Sequence, residues 1–335
     1  MTSAFVSSSA ISAKCAGSAF SMTAERLPVD KRGSNDKGID PALALILDRH
    51  WRGETSAPVA LMQLLIETED AGAVAKAVAN AAQGQAGGVK RDTAELERLI
   101  AANGAGCERI AAMLRADMDS AKPARTVEEG IAFCERLFDW SVQQSEEASV
   151  ALYSLGNPEL LSAATDEIVK QLHEWGAISP STALLDIGCG IGRLLTALAP
   201  RVRTAAGIDV SLEMVKAARR RCAGLANVSV VKGSGAGLEE FEDGAFDTAI
   251  AVDSFPYLRQ SGYELVERFF AESARVLTPG GRLVILNYSY SGDDAADTQE
   301  VRILAAASGY EVLIAGERPF ALWDGLAFFL IKGTA

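Results

Sequence analysis

Three alternating glycines are the part of this chain whose type and spacing bear most directly on chemistry. Gly188, Gly190 and Gly192 follow the apolar run Ala183–Ile187, which predicts a buried parallel strand. Apolar residues then resume at helical spacing until Pro200. A strand, a glycine turn and a helix start form the first crossover of a doubly wound α/β fold, where ligands bind at the carboxyl ends of the strands. The glycines allow the backbone to approach a ligand closely.

Two positions beside these glycines indicate which kind of ligand binds. A dinucleotide-binding loop has the pattern G-x-G-x-x-G, and Arg193 stands where its third glycine belongs. Asp186 precedes the first glycine by two positions. Its carboxylate is suited to accept a hydrogen bond from a cationic ammonium group and is unsuited to lie beside a pyrophosphate. Both residues disfavour a nicotinamide-dependent oxidoreductase, which remains an alternative.

A second carboxylate follows at the spacing expected for ribose recognition. Ala205–Asp209 predicts a strand that ends in an acid. An acid about twenty residues beyond the glycine loop can bind both ribose hydroxyls. The next segment, Val210–Arg219, predicts a helix with an apolar face.

These segments together resemble the class I methyltransferases, which bind S-adenosylmethionine. The resemblance extends over roughly residues 183–290 and keeps the expected order of motifs. It implies a doubly wound, seven-stranded Rossmann-like sheet. Its last two strands, predicted at Tyr310–Ala315 and Leu326–Ile331, would form an antiparallel hairpin at one edge. The matching segments are Asp186–Gly192, the D-x-S-x-x-M element Asp209–Met214, Phe246–Asp247 and Leu277–Leu286.

The resemblance implies S-adenosylmethionine as cofactor and suggests how it is held. Asp186 and the glycine loop would hold the methionine end. Met214 would lie against the adenine, although a core methionine is an equal alternative. Ser234 stands where many relatives carry an acid that contacts the adenine amino group, and a hydroxyl accepts that hydrogen bond more weakly. The implied cofactor-binding residues are Asp186, Gly188, Cys189, Gly190, Gly192, Asp209, Val210, Met214, Ser234, Gly235, Asp253 and Tyr153.

Tyr153 enters that set because relatives often place an aromatic ring from the preceding segment over the cofactor. The alternative is a core tyrosine with its hydroxyl at the surface.

The acceptor of the methyl group should lie near the loops after the fourth and fifth strands and near the C-terminal hairpin. Asp253 is either a general base or a residue that fixes loop geometry, and Tyr257 is the second catalytic candidate. Aromatic rings suit an organic substrate of modest size, although we expect about half of them only to pack the sheet edges. The candidate substrate pocket consists of Phe255, Tyr257, Tyr288, Tyr290 and Trp323.

Composition excludes several other classes of function. The net charge of −12 over 335 residues argues against a nucleic-acid partner, and no apolar run reaches membrane-spanning length. The five cysteines are scattered and form no C-x-x-C pair, which indicates reduced thiols in the cytoplasm. The two histidines flank no ligand pattern, so we expect no metal.

Three regions are predicted along the chain. Residues 1–38 should be a disordered tail. Residues 39–150 should be helical, with short helices in Pro41–Ala82, one of which starts at Ser56, where Pro58 falls in the first turn. A flexible break at Gln83–Gly88 and a longer helix over Thr93–Met118 follow. A capped start at Thr126 begins a pattern that can continue as far as Tyr153. Residues 151–335 should form the methyltransferase domain, with a lead-in helix starting at Asn157.

The helical region has three open interpretations: a lid over the substrate, a homodimer interface, or a separate binding domain. For the whole chain the sequence predicts transfer of a methyl group to an O, N, S or C atom of a small molecule. The alternative from another class is a non-catalytic regulatory protein that binds S-adenosylmethionine.

Overall fold

The structure is a computed structural model that describes residues 39–83, 93–116 and 124–334. The predicted N-terminal tail and most of the predicted break after Gln83 lie outside the described residues. Within them, no helix is both long and apolar enough to cross a membrane.

The helical region contains the short helices that its Ala- and Leu-rich sequence predicts. Six helices precede a single 3-10 turn at Leu152–Ser154 in the described part of the chain, and the lead-in helix α7 follows. The helices are α1 (Pro41–Trp51), α2 (Ala57–Thr68), α3 (Ala71–Gln83), α4 (Ala94–Arg115), α5 (Val127–Gln144), α6 (Glu146–Val150) and α7 (Pro158–Glu174).

Side-chain caps start three of these helices at the predicted places. The hydroxyl of Ser56 accepts a hydrogen bond from Val59 N at the start of α2. Thr126 caps α5 by accepting from Glu129 N at 3.2 Å. Asn157 caps α7. Each cap satisfies a backbone N–H that has no partner within its helix.

Two helices differ from the predicted pattern. The pattern that could continue to Tyr153 is interrupted at Ser145, which adopts extended backbone (φ −161°, ψ 120°) and caps the separate helix α6. Helix α4 bends at Asn103, whose backbone is non-helical (φ −121°, ψ 21°). Gly104 follows at once, so the bend falls where glycine lowers helix propensity.

The second half of the chain forms the predicted seven-stranded sheet. Its strands run in the order β3-β2-β1-β4-β5-β7-β6. The pairs among β1 to β5 are parallel, and β7 pairs antiparallel with β5 and with β6. The strands are β1 (Ala183–Ile187), β2 (Thr204–Asp209), β3 (Val228–Lys232), β4 (Phe246–Val252), β5 (Leu277–Leu286), β6 (Tyr310–Glu317) and β7 (Ala327–Lys332).

Helices cover both faces of the sheet because neighbouring strand residues point in opposite directions. Leu184 and Val284 pack under one layer, and Leu185 and Ile285 pack under the other. The first layer is α7 with α8 (Arg193–Leu198) and α9 (Leu212–Arg221). The second layer is α10 (Phe255–Ser261), α11 (Tyr263–Val276) and α12 (Asp294–Ala307). The doubly wound architecture is therefore confirmed.

The helical region has a core of its own, in which α1 to α4 bury leucines such as Leu61 and Leu65. At Gly106 the helical region packs closely against the turn that precedes α7. A Cβ on Gly106 would lie 1.8 Å from the carbonyl oxygen of Leu155. Only glycine permits this approach between α4 and the turn before α7.

The substitution Gly106→Ala should destabilise the fold by about 1–3 kcal/mol, because a methyl group has no room beside the Leu155 carbonyl. Gly104→Ala is the matched control, since a Cβ at Gly104 meets nothing within 4 Å. It should be neutral or stabilising by up to roughly 1 kcal/mol through helix propensity. Urea denaturation of both variants measures the difference. Equal stability of the two would contradict the close contact.

Candidate active site

The candidate site lies between β1 and β4, where the order of the parallel strands reverses. Crossovers leave in opposite directions at such a point and open a crevice at the carboxyl ends of the strands. Four loops contribute there: Gly188 after β1, Val210 after β2, Asp253 after β4 and Asn287 after β5. All four residues line a cavity of about 180 Å³.

The three glycines of the first loop all have left-handed backbone, with φ of +72°, +51° and +75°. Gly188 and Gly190 line the cavity. A Cβ on Gly188 would lie 2.5 Å from the Cβ of Ser254, and one on Gly190 would lie 2.7 Å from Cγ1 of Val150. Gly192 lies outside the lining and instead lets the loop pass close to Ala218 in α9. The predicted loop therefore has two glycines at the cavity and one that serves packing.

The predicted ribose acid, Asp209, holds two parts of the site together. Its Oδ2 accepts from Gly190 N at 2.8 Å, and its Oδ1 accepts from Ser211 N at 2.9 Å. Burial raises its pKa to about 6, although these backbone hydrogen bonds oppose the shift. Asp209 lines the cavity. A carboxylate has about four lone-pair sites, so each oxygen keeps capacity for a ligand hydroxyl.

The remaining predicted cofactor contacts on β2 and β3 are only partly brought together. Met214, Val210 and Gly235 line the cavity. Ser234 does not: it is exposed, and its hydroxyl donates to Glu239. The structure thus places the Ser234 side chain away from the position expected for an adenine contact.

Cys189 also lies outside the cavity wall. It is buried beneath the loop, where a Cβ on Gly207 would come within 2.8 Å of its Sγ. Burial raises the pKa of its thiol well above the usual range. Cys189 therefore acts in packing, and any contact with a ligand would come from its backbone.

Asp186 lies at the end of β1, outside the cavity lining but two residues from Gly188. It is 2% exposed, and burial raises its pKa to about 7 against the opposing effect of Arg193. Its Oδ2 is buried with no hydrogen-bond partner among the described residues. Arg193 is itself buried and donates to Thr165 at 3.1 Å. Such an unpaired carboxylate oxygen favours a cation nearby.

Asp253 forms the centre of a polar cluster after β4 and β5. Its Oδ1 accepts from Asn287 Nδ2 at 2.7 Å and from the hydroxyl of Tyr290 at 2.9 Å. Asp253 and Asn287 have positive φ angles of 61° and 69°, which are strained for residues with a Cβ. Burial raises the pKa of Asp253, and the two hydrogen bonds oppose that shift.

The predicted aromatic residues divide between the cavity and the core. Tyr257, Tyr290, Trp323 and Tyr153 line the cavity. The Tyr257 and Tyr290 rings meet edge to face with centroids 5.9 Å apart. Tyr153 stacks on Trp323 with centroids 6.0 Å apart. Tyr153 is almost fully buried and so is its hydroxyl, so the alternative of a core tyrosine with its hydroxyl at the surface is wrong.

Phe255 and Tyr288 do not belong to the cavity wall. Both are fully buried on the opposite layer of the sheet, where Phe255 packs against Phe270 and Tyr288 packs against Phe328. Phe255 begins α10, and Tyr288 follows the left-handed residue Asn287, so the chain has left the strands where both rings enter the core. Part of the predicted pocket is thus core, as we expected for about half of the rings.

The sequence analysis missed a further part of the wall, which the helical region supplies. Met62 and Ile66 on α2, Phe138 on α5 and Val150 on α6 line the cavity. No motif identifies them, because apolar residues at helical spacing predict burial and do not tell what they face.

Comparison with known proteins gives the family of the sheet domain. Residues 185–285 match the sequence model of a family described as "Methyltransferase domain". The demethylmenaquinone methyltransferase of Tropheryma whipplei is 30% identical over 113 residues, 34% of this chain and 44% of that protein. The nocamycin O-methyltransferase of Saccharothrix syringae is 39% identical over 112 residues, 31% of this chain and 37% of that protein.

Among solved structures, the chain is similar to phosphoethanolamine N-methyltransferase 1 of Haemonchus contortus in complex with phosphoethanolamine and S-adenosylhomocysteine. The TM-score is 0.49 at 17% identity, covering 63% of this chain and 50% of that one. The chain spans less than half the length of the first curated relatives that it matches.

The match, with the strand order and the glycine loop, shows that residues 185–285 belong to a methyltransferase domain of the class I, S-adenosylmethionine-dependent type. The residues present fit this family's cofactor. Its ammonium and sulfonium groups are cationic, and Asp186 Oδ2 is a buried carboxylate oxygen without a partner in the described chain. Gly188 and Gly190 line the cavity, so their backbone can approach a ligand closely.

The charge of Asp186 should make cofactor affinity depend on pH. Because burial raises its pKa to about 7, the acid is largely protonated at pH 5.5 and must ionise to attract an ammonium group. Affinity for S-adenosylhomocysteine should therefore rise up to roughly tenfold per pH unit between pH 5.5 and 7. Asp186→Asn should weaken binding at pH 7 by roughly tenfold. It should also make the affinity nearly independent of pH over this range. Calorimetric titration at several pH values measures both.

Thermal stability provides the control for this prediction. Without ligand, a raised carboxyl pKa favours folding below the unfolded pKa of about 4, and the contribution is lost as pH rises through about 7. The ligand should therefore raise the melting temperature more at pH 7 than at pH 5.5. An unchanged slope in the Asn variant would place the titrating group elsewhere.

Proposed function

We propose that this protein transfers the methyl group of S-adenosylmethionine to a small organic molecule, with Asp253 as the base. The observation that carries the proposal is the geometry of Asp253. Both of its side-chain hydrogen bonds, from Asn287 and Tyr290, end on Oδ1. Oδ2 therefore keeps its lone pairs for a proton at the cavity wall. The left-handed backbone at Asp253 and Asn287 supports a functional role, because such strain persists where the surroundings enforce it.

When bound, the cofactor supplies a methyl group on a cationic sulfur atom. The acceptor would take this methyl group, and the sulfur would leave as a neutral thioether that keeps the electrons of the broken bond. An acceptor that starts with an O–H, N–H, S–H or activated C–H group must also lose a proton. Asp253 Oδ2 accepts that proton, and its raised pKa makes it a stronger base than an exposed aspartate. Asn287 and Tyr290 hold the carboxylate in place.

The strand order supports separate places for the two reactants. The glycine loop, Asp209 and Met214 belong to β1, β2 and the helix after it, on one side of the reversal point. Asp253, Asn287 and Trp323 belong to the loops of β4, β5 and the hairpin, on the other side. The cofactor therefore binds over β1–β3 and the acceptor over β4–β5, with the transferred group between them. The names of two relatives, demethylmenaquinone methyltransferase and nocamycin O-methyltransferase, support a small-molecule acceptor.

Asp253→Asn tests the role of the base. The amide oxygen can still accept the hydrogen bonds from Asn287 and Tyr290, so S-adenosylhomocysteine should bind within about threefold of the original affinity. The rate constant kcat should fall by roughly 10²–10⁴-fold, the usual contribution of a general base. Methyl transfer against a panel of hydroxylated and aminated metabolites, with binding measured by calorimetry, separates the two effects.

Asp243→Asn is the control, because Asp243 lies outside the cavity lining and its side chain is largely exposed. Its kcat should stay near the original value. An unchanged kcat in Asp253→Asn would reduce Asp253 to a positioning residue. Binding of the cofactor product without turnover of any metabolite would favour a non-catalytic regulatory protein.

We propose further that the helical region acts as a lid over the cofactor. Its contacts with the cofactor side of the sheet support this role. Asp139 on α5 accepts from the hydroxyl of Ser211 at 2.6 Å and from Glu213 N at 3.0 Å, at the start of α9. Glu146 on α6 pairs with Arg220 and Arg221 at the end of the same helix.

These contacts bring α6 across the glycine loop, where Val150 meets Gly190. Covering the loop excludes water from a site whose carboxylates act more strongly in a medium of low dielectric constant.

The substitution Asp139→Ala should loosen the lid, because it removes two hydrogen bonds that join α5 to the start of α9. S-adenosylhomocysteine should dissociate roughly 5–30-fold faster, as expected for one charge-assisted hydrogen bond of about 1–2 kcal/mol. Glu135→Gln is the control on the same helix, since its ion pair with Lys232 is half exposed and such pairs contribute little. Dissociation rates by ligand displacement measure the effect. Equal rates in both variants would count against a lid.

A further inference from the structure

We propose that the acceptor of this methyltransferase is a largely apolar molecule that carries no negative charge. The inference rests on the proposed function and concerns the part of the cavity that the cofactor leaves free. It follows from two properties of the wall there: the apolar character of its helices and the sign of its charges.

The apolar part of the wall comes from helices that pack over the acceptor side. Met62 and Ile66 on α2 and Phe138 on α5 line the cavity. Met62 belongs to the same buried cluster as Tyr153 and Trp323. Phe138 meets the ring of Tyr257 edge to face, with centroids 4.7 Å apart. A ligand that lies against this wall gains contact with aliphatic and aromatic carbon, which stabilises it in proportion to the apolar area buried.

The charged side chains that line the cavity are all acidic in the described part of the chain. Asp253 and Asp324 line the acceptor side of the cavity, and Asp209 lines the cofactor side. None of the lining residues is Lys, Arg or His in the part of the chain that the structure describes. An anionic group on the acceptor would therefore meet carboxylates with no side-chain cation among the lining residues to pair with.

Three arginines approach this wall from outside the lining, and all are engaged. Arg49 pairs with Glu54 at 3.5 Å, and the other two make the following contacts. Arg193 donates to Thr165 and offsets the charge of Asp186. Arg318 binds both carboxylate oxygens of Asp294 at 2.8 Å and also donates to the backbone of Asp324. Turning any of these guanidinium groups toward a ligand would break these contacts and leave a buried or paired carboxylate without its partner. An acceptor that is a carboxylate, phosphate or sulfate is thus disfavoured.

The neutral polar groups of the wall suit one or two hydroxyls or carbonyls. Tyr257 and Asn287 line the same side as Asp253. A proton-bearing hydroxyl can bind Asp253 Oδ2 and present its oxygen to the transferred methyl group. The acceptor that fits best is therefore a hydrophobic ring compound with a hydroxyl group.

The test uses pairs of probes that differ in charge alone. In each pair, a hydroxylated ring compound carries either a carboxamide or a carboxylate at the same position, for example 6-hydroxy-2-naphthamide and 6-hydroxy-2-naphthoate, with 2-naphthol as the unsubstituted member. Binding to the full chain is measured by calorimetry at saturating S-adenosylhomocysteine and pH 8. The neutral members should bind, and each carboxylate should bind at least about 30-fold more weakly than its amide.

Two variants test which residues of the wall cause the preference for neutral, apolar probes. Asp324→Asn should reduce the ratio of amide affinity to carboxylate affinity roughly threefold or more, because it removes one of the two charges on the acceptor side. Met62→Gln should weaken 2-naphthol roughly tenfold while leaving S-adenosylhomocysteine unchanged, because it makes the apolar wall polar. Glu67→Gln, on the exposed face of α2, is the control and should change neither.

The outcomes separate this inference from the proposed function. If S-adenosylhomocysteine binds and the carboxylates bind as well as the amides, or if no neutral probe binds, the inference is overturned while the methyltransferase proposal stands. If S-adenosylhomocysteine itself does not bind, the proposed function fails. Preference for the neutral probes, lost in part in Asp324→Asn, supports the inference.

Discussion

The site depends on the burial of three carboxylates at the ends of adjoining strands. Asp186, Asp209 and Asp253 close β1, β2 and β4, and burial raises the pKa of each. Parallel strands bring their carboxyl ends to one edge of the sheet, so the fold itself concentrates these charges. Burying these charges costs free energy, and part of this cost is compensated by backbone N–H groups, two polar side chains and Arg193. The unpaired Oδ2 of Asp186 remains, and it gives the cavity a built-in preference for a cationic ligand.

The fold and the backbone of the glycine loop could be predicted from the sequence. The apolar runs fixed the strands, and the caps at Ser56, Thr126 and Asn157 fixed helix starts, because these signals are local. The loop at Gly188–Gly192 could be recognised for the same reason. Left-handed backbone at fixed spacing can be supplied only by a few residue types.

The side chains of the site were harder to predict, because their direction depends on register. Ser234 and Cys189 fall within the expected loops, yet one turns to Glu239 and the other packs beneath Gly207. Phe255 follows Asp253 by only two positions but lies in the core on the opposite layer. A shift of one position reverses the face of a strand residue, and an irregular loop adds further freedom. Spacing alone therefore predicts which loops meet and leaves open which side chains face the ligand.

The helical region explains why cofactor and acceptor recognition follow different rules. In the proposed function the cofactor contacts backbone and carboxylates that a short motif encodes. The acceptor would contact Met62, Ile66 and Phe138, which line the cavity from helices far away in sequence. Substitutions among such apolar residues leave the helices folded as long as volume is kept, and they reshape the wall without disturbing the glycine loop. On this proposal, acceptor specificity resides in a region with no recognisable motif. On this proposal a change of acceptor would need changes in α2 and α5, while the carboxylates that support cofactor binding could stay as they are.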